Sequence, residues 1–290
     1  MPPTIAFNGH TLSSAFQPIY DVHESRLAGY EGLLRAVDGP GRSVRANDLL
    51  EGLDTAEIVS IDRTARTLHL RSFASVDPGH ALLFLNVHPA AAVADAEAAI
   101  AVRNRIGYFG LTPARVCYEI LENTCEDEGR LVDAVAAYRE MGLAIAMDDF
   151  GVARSNFDRV ASLRPDYVKL DRTILARAVG DAKARRMLPS LVDMLHGMGA
   201  RVVVEGIEDS AGALLAIEAG ADMLQGYYFA APSAHIADDD VLVGRLLDEL
   251  VRMRAPTPSN QPRLAAPRRR TAPTHVSAPA YREPPVETVE

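Results

Sequence analysis

The feature that most constrains the fold is a series of short apolar, β-branched runs that alternate with segments of helical character. Eight runs are candidate strands, and helical segments separate most of them, which is the pattern of parallel βα units. Eight such units over about 240 residues favour a closed TIM-like (βα)8 barrel of the α/β class over an open doubly wound sheet. The first two runs have no helix between them, so we expect the first strand to pair antiparallel. The predicted strands are 16–20, 27–35, 81–87, 115–121, 143–149, 166–170, 201–206 and 222–226.

Composition divides the chain into an N-terminal extension (1–11), a barrel domain (12–250) and a tail (251–290) that is rich in Pro and Arg. The tail lacks apolar periodicity, which predicts disorder. It carries a formal charge of +4, from seven Arg and three Glu, whereas the rest of the chain carries −13. The basic run 268–270 offers a contact for an unidentified acidic protein partner or a membrane surface, but a solvated charge run is the preferred interpretation.

The predicted helices are 55–75, 90–106, 127–141, 154–163, 172–198, 209–219 and 238–253.

Net charge and cysteine content exclude several classes of protein. A formal net charge of −9 argues against a general binder of nucleic-acid polymers, which must neutralise a phosphate backbone. The two cysteines, Cys117 and Cys125, lack CxxC spacing, and the N-terminus lacks the features of a secretion signal. No apolar segment reaches the roughly 18 residues of a membrane span. We therefore expect a cytoplasmic protein with no membrane span.

Polar side chains recur at or near the carboxyl ends of the predicted strands. A single such residue usually marks only a strand boundary, but a series of them is harder to dismiss. The carboxyl ends of parallel barrel strands open onto one face, where barrel enzymes build their active sites. The sequence thus predicts a ring of polar side chains at that face. The ring consists of Glu31, Asn86, Glu119, Asp148, Asp149, Lys169, Glu205 and Gln225.

The chemistry of this ring favours a divalent metal and a phosphate ester. Carboxylate and amide oxygens suit Mg²⁺ or Mn²⁺ better than Zn²⁺. Asp148 and Asp149 can both reach the site if the chain turns at the strand end, and one of them can then bridge two ions. Lys169 needs an acidic partner or a bound anion, because a buried ammonium alone is costly. If Lys169 belongs to the polar ring, it would orient the attacking water. The alternative is a structural ion pair with Asp166 or Asp171.

Eight motifs, taken in order, resemble the EAL-domain phosphodiesterases over residues 12–250. Each is weak alone, but their order and spacing agree. The resemblance implies an EAL-type barrel, a homodimer, and hydrolysis of one phosphodiester of cyclic di-GMP to linear pGpG. The motifs are FQPIY (16–20), GYEGLLR (29–35), LNV (85–87), YEILE (118–122), DDFG (148–151), DYVKLD (166–171), VVEGIE (203–208) and QGYYFAAP (225–232).

The resemblance also implies roles for individual residues. One metal would be held by Glu31, Asn86, Glu119 and Asp148, and a second by Asp148 and Asp149. Catalysis at this two-ion site would involve Lys169 and Glu205, which position the water, together with Glu31 and Gln225. Cyclic di-GMP would be bound by Gln17, Arg35, Asp171, Glu208 and Tyr227. An acidic residue after the third ligand, Glu122, would anchor the loop that follows DDFG.

Three departures from the family pattern stand out. The signature triplet is EGL, so Gly32 replaces an alanine, and we expect no consequence because the lost methyl carries no chemistry. Residues 152–156 read VARSN where the family runs close to TGYSS, which predicts altered control of this loop. We expect no sensor or diguanylate cyclase domain beside the barrel, because neither fits in the remaining sequence. The leading hypothesis is an active phosphodiesterase; the alternatives are a weak or inactive EAL domain that acts as a cyclic di-GMP receptor, or a protein-interaction module.

Overall fold

The computed structural model describes residues 2–76, 79–96, 98–121, 125, 127–151, 156–236 and 240–253. Ten strands form one sheet in this part of the chain, and eight of them close into a barrel. The strands are β1 (Thr4–Phe7), β2 (His10–Asp21), β3 (Arg26–Val37), β4 (Ser43–Val44), β5 (Leu82–Val87), β6 (Val116–Ile120), β7 (Ala144–Phe150), β8 (Tyr167–Leu170), β9 (Arg201–Val204) and β10 (Met223–Leu224).

Parallel pairing runs from β3 through β5, β6, β7, β8 and β9 to β10. Strand β2 lies antiparallel to both β3 and β10 and so closes the barrel. The predicted barrel with an antiparallel first strand is therefore confirmed. Because β3 and β5 to β10 point the same way, their carboxyl ends open onto one face.

The sheet begins earlier than the sequence patterns indicated. Residues 4–11, which we expected to precede the barrel domain, form β1 and the start of β2. These strands pair in a hairpin whose two-residue turn is Asn8 and Gly9, with φ values of 45° and 77°. An Asn-Gly turn is a strong hairpin signal, because both central positions of a type I′ turn need positive φ. The hairpin therefore has a local cause in the sequence, the Asn8-Gly9 pair.

Two long predicted helices are each two helices. The prediction of one helix over 172–198 is wrong because Asp181 is extended, and its side chain accepts a hydrogen bond from the Lys183 N–H, which starts a new helix. The prediction over 90–106 is also wrong, since Ala98 leaves the helical conformation. The helices are α1 (Ala46–Leu50), α2 (Thr55–Val76), α3 (Pro89–Ala96), α4 (Ala99–Tyr108), α5 (Glu128–Glu140), α6 (Asn156–Leu163), α7 (Arg172–Gly180), α8 (Ala182–Gly197), α9 (Ser210–Glu218) and α10 (Asp240–Met253).

The last described helix, α10, continues to Met253, three residues past the predicted end of the barrel domain. Residues 254–290, nearly all of the predicted tail, lie outside the described residues. Of the helices described, none has the length and apolar character needed to cross a bilayer.

A layer of apolar side chains fills the barrel interior beneath the polar ends of the strands. Because each strand turns alternate side chains inward, neighbouring strands contribute to the same layer. This layer is the floor on which the polar ring rests, and it keeps water away from that ring from below. Its buried members are Ile19, Phe84, Cys117, Ala146, Tyr167, Val203 and Met223.

A histidine–aspartate pair ties α8 to the start of β10 at the opposite, amino-terminal end of the barrel. His196 Nε2 lies 2.8 Å from Oδ2 of Asp222, which also accepts the Val202 N–H at 2.7 Å. The hydrogen bond with Asp222 raises the pKa of His196. Although burial favours the neutral acid, hydrogen bonds from His196 and His23 lower the pKa of Asp222. The charged pair therefore stabilises the fold over a limited range of pH.

We expect the stabilisation by His196 to disappear as the pH rises. Its folded pKa exceeds the ordinary value of 6.5, so the contribution is complete below 6.5 and is lost as the pH passes the folded pKa. The free energy of unfolding, measured in urea from about pH 5.5 to about pH 9, should fall with pH in the wild type relative to His196→Gln. A difference between the two proteins that stays constant across this range would contradict the prediction.

Candidate active site

Four carboxylates surround one buried ammonium at the carboxyl ends of the barrel strands. Lys169 Nζ lies 2.6 Å from Oε1 of Glu205 and 3.1 Å from Oε2 of Glu31. It also lies 3.1 Å from Oε1 of Glu119 and 3.4 Å from Oδ1 of Asp148. These groups come from five strands or strand ends, so only closure of the barrel brings them together.

The two structural partners considered for Lys169 are engaged elsewhere. Asp166 accepts the Ile145 N–H at 2.9 Å and so links two strands. Asp171 accepts the Thr173 N–H at 2.8 Å, which caps the start of α7. Lys169 therefore belongs to the polar ring rather than to a local ion pair.

Hydrogen bonds fix Glu31 at the centre of the ring. Its Oε1 accepts from Asn86 Nδ2 at 2.9 Å, and its Oε2 accepts from Gln225 Nε2 at 2.7 Å. Gln17, which faces Glu31 across the β2–β3 pair, donates to the Ala230 carbonyl at 3.2 Å. Although burial alone would raise the pKa of Glu31, the charge of Lys169 and the donated hydrogen bonds lower it. Glu31 is thus held as a carboxylate in a fixed orientation.

The other carboxylates are electrostatically unsatisfied. Burial raises the pKa of Glu119 well above its ordinary range and that of Glu205 to about 8. Burial likewise raises the pKa of Asp148. Despite its own burial, Lys169 has a pKa well above the ordinary value because these carboxylates stabilise its charge. One ammonium does not neutralise four carboxylates, of which three are buried and Glu205 is half-buried, so the site favours binding of further positive charge.

Several buried oxygens in the ring accept no hydrogen bond from the described residues, and their only close cation is the shared Lys169 ammonium. They are Oδ1 of Asn86, both carboxylate oxygens of Glu119, Oδ1 of Asp148 and Oε1 of Gln225. Buried polar atoms are normally satisfied, and an unsatisfied set that points to one place calls for an ion or water. Hard oxygen donors of this kind are the ligands that Mg²⁺ and Mn²⁺ prefer. The residues present therefore fit a divalent cation.

The backbone at the end of β7 turns both aspartates towards the same site. Asp149 has φ of 52°, in the left-handed region that few residues other than glycine adopt. Oxygens of Asp148, Asp149 and Glu205 lie within 4.8 Å of one another. Backbone strain of this kind is common at functional sites. An ordinary extended strand would instead point the two neighbours to opposite faces.

A pocket of about 320 Å³ opens above the ring. Glu31, Asp148, Asp149 and Glu205 form its acidic base. Five residues with predicted ligand-binding or supporting roles line its walls, and one of them, Tyr227, exposes 69% of its surface. The tertiary structure thus joins most of the predicted metal, catalytic and ligand positions in one cavity. The five wall residues are Gln17, Asp171, Glu208, Gln225 and Tyr227.

Sequence reasoning missed Arg172, the single basic side chain among the described residues that line this pocket. It is exposed and forms no ion pair within the described part of the chain. Gly206, with φ of 67°, lets the backbone approach it closely, because a Cβ at this position would overlap the Cβ of Arg172. The sequence shows that Arg172 directly follows the KLD segment, but not the direction of its side chain.

Asn86, Glu119 and Lys169 lie in the ring beneath the pocket, whereas two other predicted residues are placed neither in the ring nor in the pocket lining. Arg35 is exposed on β3, does not line the cavity, and donates its Nη1 to the Leu34 carbonyl at 3.0 Å. Glu122 lies outside the described residues, as does 152–155 in the loop whose sequence departs from the family. The loop-anchoring role of Glu122 therefore stays a prediction.

A buried ion network behind the ring was also missed. Arg66 is 1% exposed and donates to Asp62 at 2.6 Å and to Asp95 at 2.7 Å. Asp62 in turn accepts the His88 N–H at 2.8 Å, two residues after Asn86. The spacing of Asp62 and Arg66 along α2 indicates a pair, but nothing in the sequence places Asp95 beside them. The network fixes the strand end that carries Asn86.

Comparison with known protein families decides to which family the chain belongs. The family model described as EAL domain matches residues 4–232. The chain belongs to the EAL domain family. The match begins at the first residue of β1, so the β1–β2 hairpin is part of the EAL domain in this chain.

Named relatives of this EAL domain are bacterial proteins of greater length. The EAL-domain containing protein YkuI of Bacillus subtilis is 29% identical over 251 residues, which cover 86% of this chain and 61% of that protein. The cyclic di-GMP phosphodiesterase RocR of Pseudomonas aeruginosa is 32% identical over 151 residues, which cover 52% of this chain and 38% of RocR. The chain thus spans less than two thirds of the length of these relatives.

Solved EAL structures share the barrel. Bacillus subtilis YkuI, solved with its substrate c-di-GMP and calcium, superposes with a TM-score of 0.73 at 24% identity, covering 83% of this chain and 60% of YkuI. The manganese and cyclic di-GMP complex of Klebsiella pneumoniae BlrP1 gives a TM-score of 0.69 at 21% identity, covering 80% of this chain and 58% of BlrP1. At these identities the likeness establishes the EAL fold.

Proposed function

We propose that this EAL domain is a metal-dependent phosphodiesterase that hydrolyses cyclic di-GMP to linear pGpG. The observation that carries the proposal is the ring of four carboxylates and one asparagine, in which a single ammonium is shared by all four carboxylates and several buried oxygens accept no hydrogen bond from the described residues. The name of RocR and the ligands of the YkuI and BlrP1 structures support the choice of substrate.

The donor set supports two divalent ions, Mg²⁺ or Mn²⁺. One would be held by Glu31, Asn86, Glu119 and Asp148, and the second by Asp148 and Asp149. When bound, the ions would polarise the phosphodiester and lower the pKa of the attacking water. The excess of carboxylates over ammonium at the barrel mouth is what makes this occupancy favourable.

The protein's own groups would orient the water and receive its proton. Lys169 is a donor to the ring and keeps its proton among four carboxylates, so its role is to orient rather than to deprotonate. Glu205, 2.6 Å from Lys169 and open to the pocket, is the carboxylate best placed to accept a proton. Gln225 and Asn86 hold Glu31 in place. One water is consumed, one P–O ester bond breaks, and pGpG is released.

We further propose that the pocket walls hold the nucleotide. Gln17, Asp171, Glu208 and Tyr227 face the cavity, and Tyr227 offers an exposed aromatic face for a guanine base. Arg35 would join them only if its side chain turned from its present hydrogen bond. A homodimer, a cytoplasmic location and a protein partner for the tail stay predictions.

Arg172 is expected to bind a phosphate of the substrate. Arg172→Ala keeps the Cβ that packs on Gly206 but removes the only described cation that lines the pocket. Loss of one charge-assisted hydrogen bond should raise KM about tenfold while kcat changes little. Steady-state hydrolysis of cyclic di-GMP checks this, with Arg177→Ala on the exposed side of α7 as the matched control. An unchanged KM would remove Arg172 from the binding site.

The proposed function is tested by incubating the purified chain with cyclic di-GMP and either Mg²⁺ or Mn²⁺ and separating the products by chromatography. Appearance of pGpG that requires the metal supports the phosphodiesterase. Micromolar binding without turnover, measured by calorimetry, would instead favour a cyclic di-GMP receptor. Neither binding nor turnover would contradict both and leave the protein-interaction module.

A further inference from the structure

Gly32 lies directly behind the central carboxylate of the ring. It follows Glu31 on β3, so its position faces outward from the barrel while Glu31 faces inward. A Cβ built on Gly32 would meet the ring of His69 at 3.0 Å from Cγ and 3.3 Å from Cδ2. Such approaches are tighter than ordinary van der Waals contact, so the space of a side chain at position 32 is already filled.

His69 is fixed in that space from several sides. It is on α2, is 3% exposed, and its Nδ1 lies 2.7 Å from the hydroxyl of Ser14 on β2. Its ring meets the ring of Phe16 edge to face, with centroids 6.3 Å apart. Phe16 is the register partner of Gly32 across the β2–β3 pair. The imidazole therefore packs α2 against the β2–β3 pair at the level of Glu31.

We propose that His69 and Gly32 form a complementary pair in which the imidazole takes the place of the alanine methyl of the EAL triplet and positions Glu31 for metal binding. The metal-binding part of this inference rests on the proposed function, whereas the packing of His69 against Gly32 does not. His69 is a positioning residue, since it reaches the ring only through the backbone of β3. The proposal departs from the expectation that glycine in the triplet has no consequence, because a bulky side chain occupies the space of the missing methyl.

The imidazole acts by shape rather than by charge. Burial lowers the pKa of His69 to about 4, so the ring is neutral near pH 7. A neutral ring can share a proton with Ser14 and pack on apolar neighbours without a counter-ion. Restoring alanine at position 32 would force the ring or the strand to move by a few tenths of an ångström, and Glu31 is the next residue along the strand.

A double-mutant cycle tests the pair in the full chain. The variants are Gly32→Ala, His69→Ala and the double substitution, and the readouts are the Mn²⁺ dissociation constant from electron paramagnetic resonance titration, Tm and turnover. Gly32→Ala alone should weaken Mn²⁺ binding about tenfold. In the His69→Ala background, the same substitution should change Mn²⁺ affinity by no more than about twofold, because the methyl then enters vacated space. Gly39→Ala, whose Cβ would meet nothing within 4 Å, is the control.

Each outcome decides the proposal. Equal Mn²⁺ affinity in Gly32→Ala and the wild type, or a loss of Tm alone, overturns the positioning role. Additive effects in the double variant overturn the pairing. If Gly32→Ala does not fold, the double variant must fold, and its failure counts against the pair. A wild type that binds no Mn²⁺ contradicts the proposed function, while the coupling in Tm still tests the packing.

Discussion

Asp148→Ala is expected to lower the rate of cyclic di-GMP hydrolysis by at least about a thousandfold, and Glu31→Ala should have an effect of the same size. Asp148 holds a buried oxygen without a hydrogen-bond partner among the described residues, and its neighbour Asp149 turns towards the same site. It is the proposed link between the two ions. Glu31 is the acceptor for Asn86, Lys169 and Gln225, so its loss removes the centre of the ring.

Initial rates of pGpG formation with saturating Mn²⁺ measure this effect. Asp133→Ala removes an exposed carboxylate from α5 and should leave the rate unchanged. Circular dichroism must show that the Asp148 variant stays folded, since the substitution removes one of the carboxylates around the buried Lys169 ammonium. Wild-type turnover in the folded Asp148→Ala protein would contradict the assignment of the active site.

Arg66→Met is expected to destabilise the fold strongly although the two side chains are similar in length. The guanidinium is bonded to Asp62 and Asp95, and both carboxylates would lose their buried cation. Breaking one side of a buried ion network costs about 3 to 5 kcal/mol in the free energy of unfolding. In a domain of this size, Tm should fall by roughly 10 °C.

Urea unfolding and thermal denaturation measure the loss. Arg45→Met is the matched control, because Arg45 pairs with Asp48 at 2.9 Å but its side chain is 85% exposed. An exposed pair contributes little to stability, because solvent screens its attraction. Equal effects of the two substitutions would show that the buried network does not stabilise the fold.

The sequence determined the barrel and the composition of its ring. Apolar runs that alternate with helical segments allow few other folds, and parallel connections force the polar ends of the strands onto one face. Glu31, Asp148 and Glu205 could be grouped in this way because their positions at strand ends are local facts. The antiparallel first strand followed from the missing helix between two runs. The order of strands and helices along the chain and the spacing of apolar residues within them were enough for these predictions.

Only the tertiary structure decided which side chains meet across elements. Arg66 and Asp95 are distant in sequence and pair because α2 and α3 pack together, and Arg172 enters the pocket only because Gly206 lets the backbone come close. His69 and Gly32 show the same limit: the two residues are 37 positions apart in the sequence, and only the packing of α2 on β3 places the imidazole in the space of the missing methyl. Sequence period fixes the face on which a side chain lies, whereas its contacts depend on distances of a few ångströms set by packing.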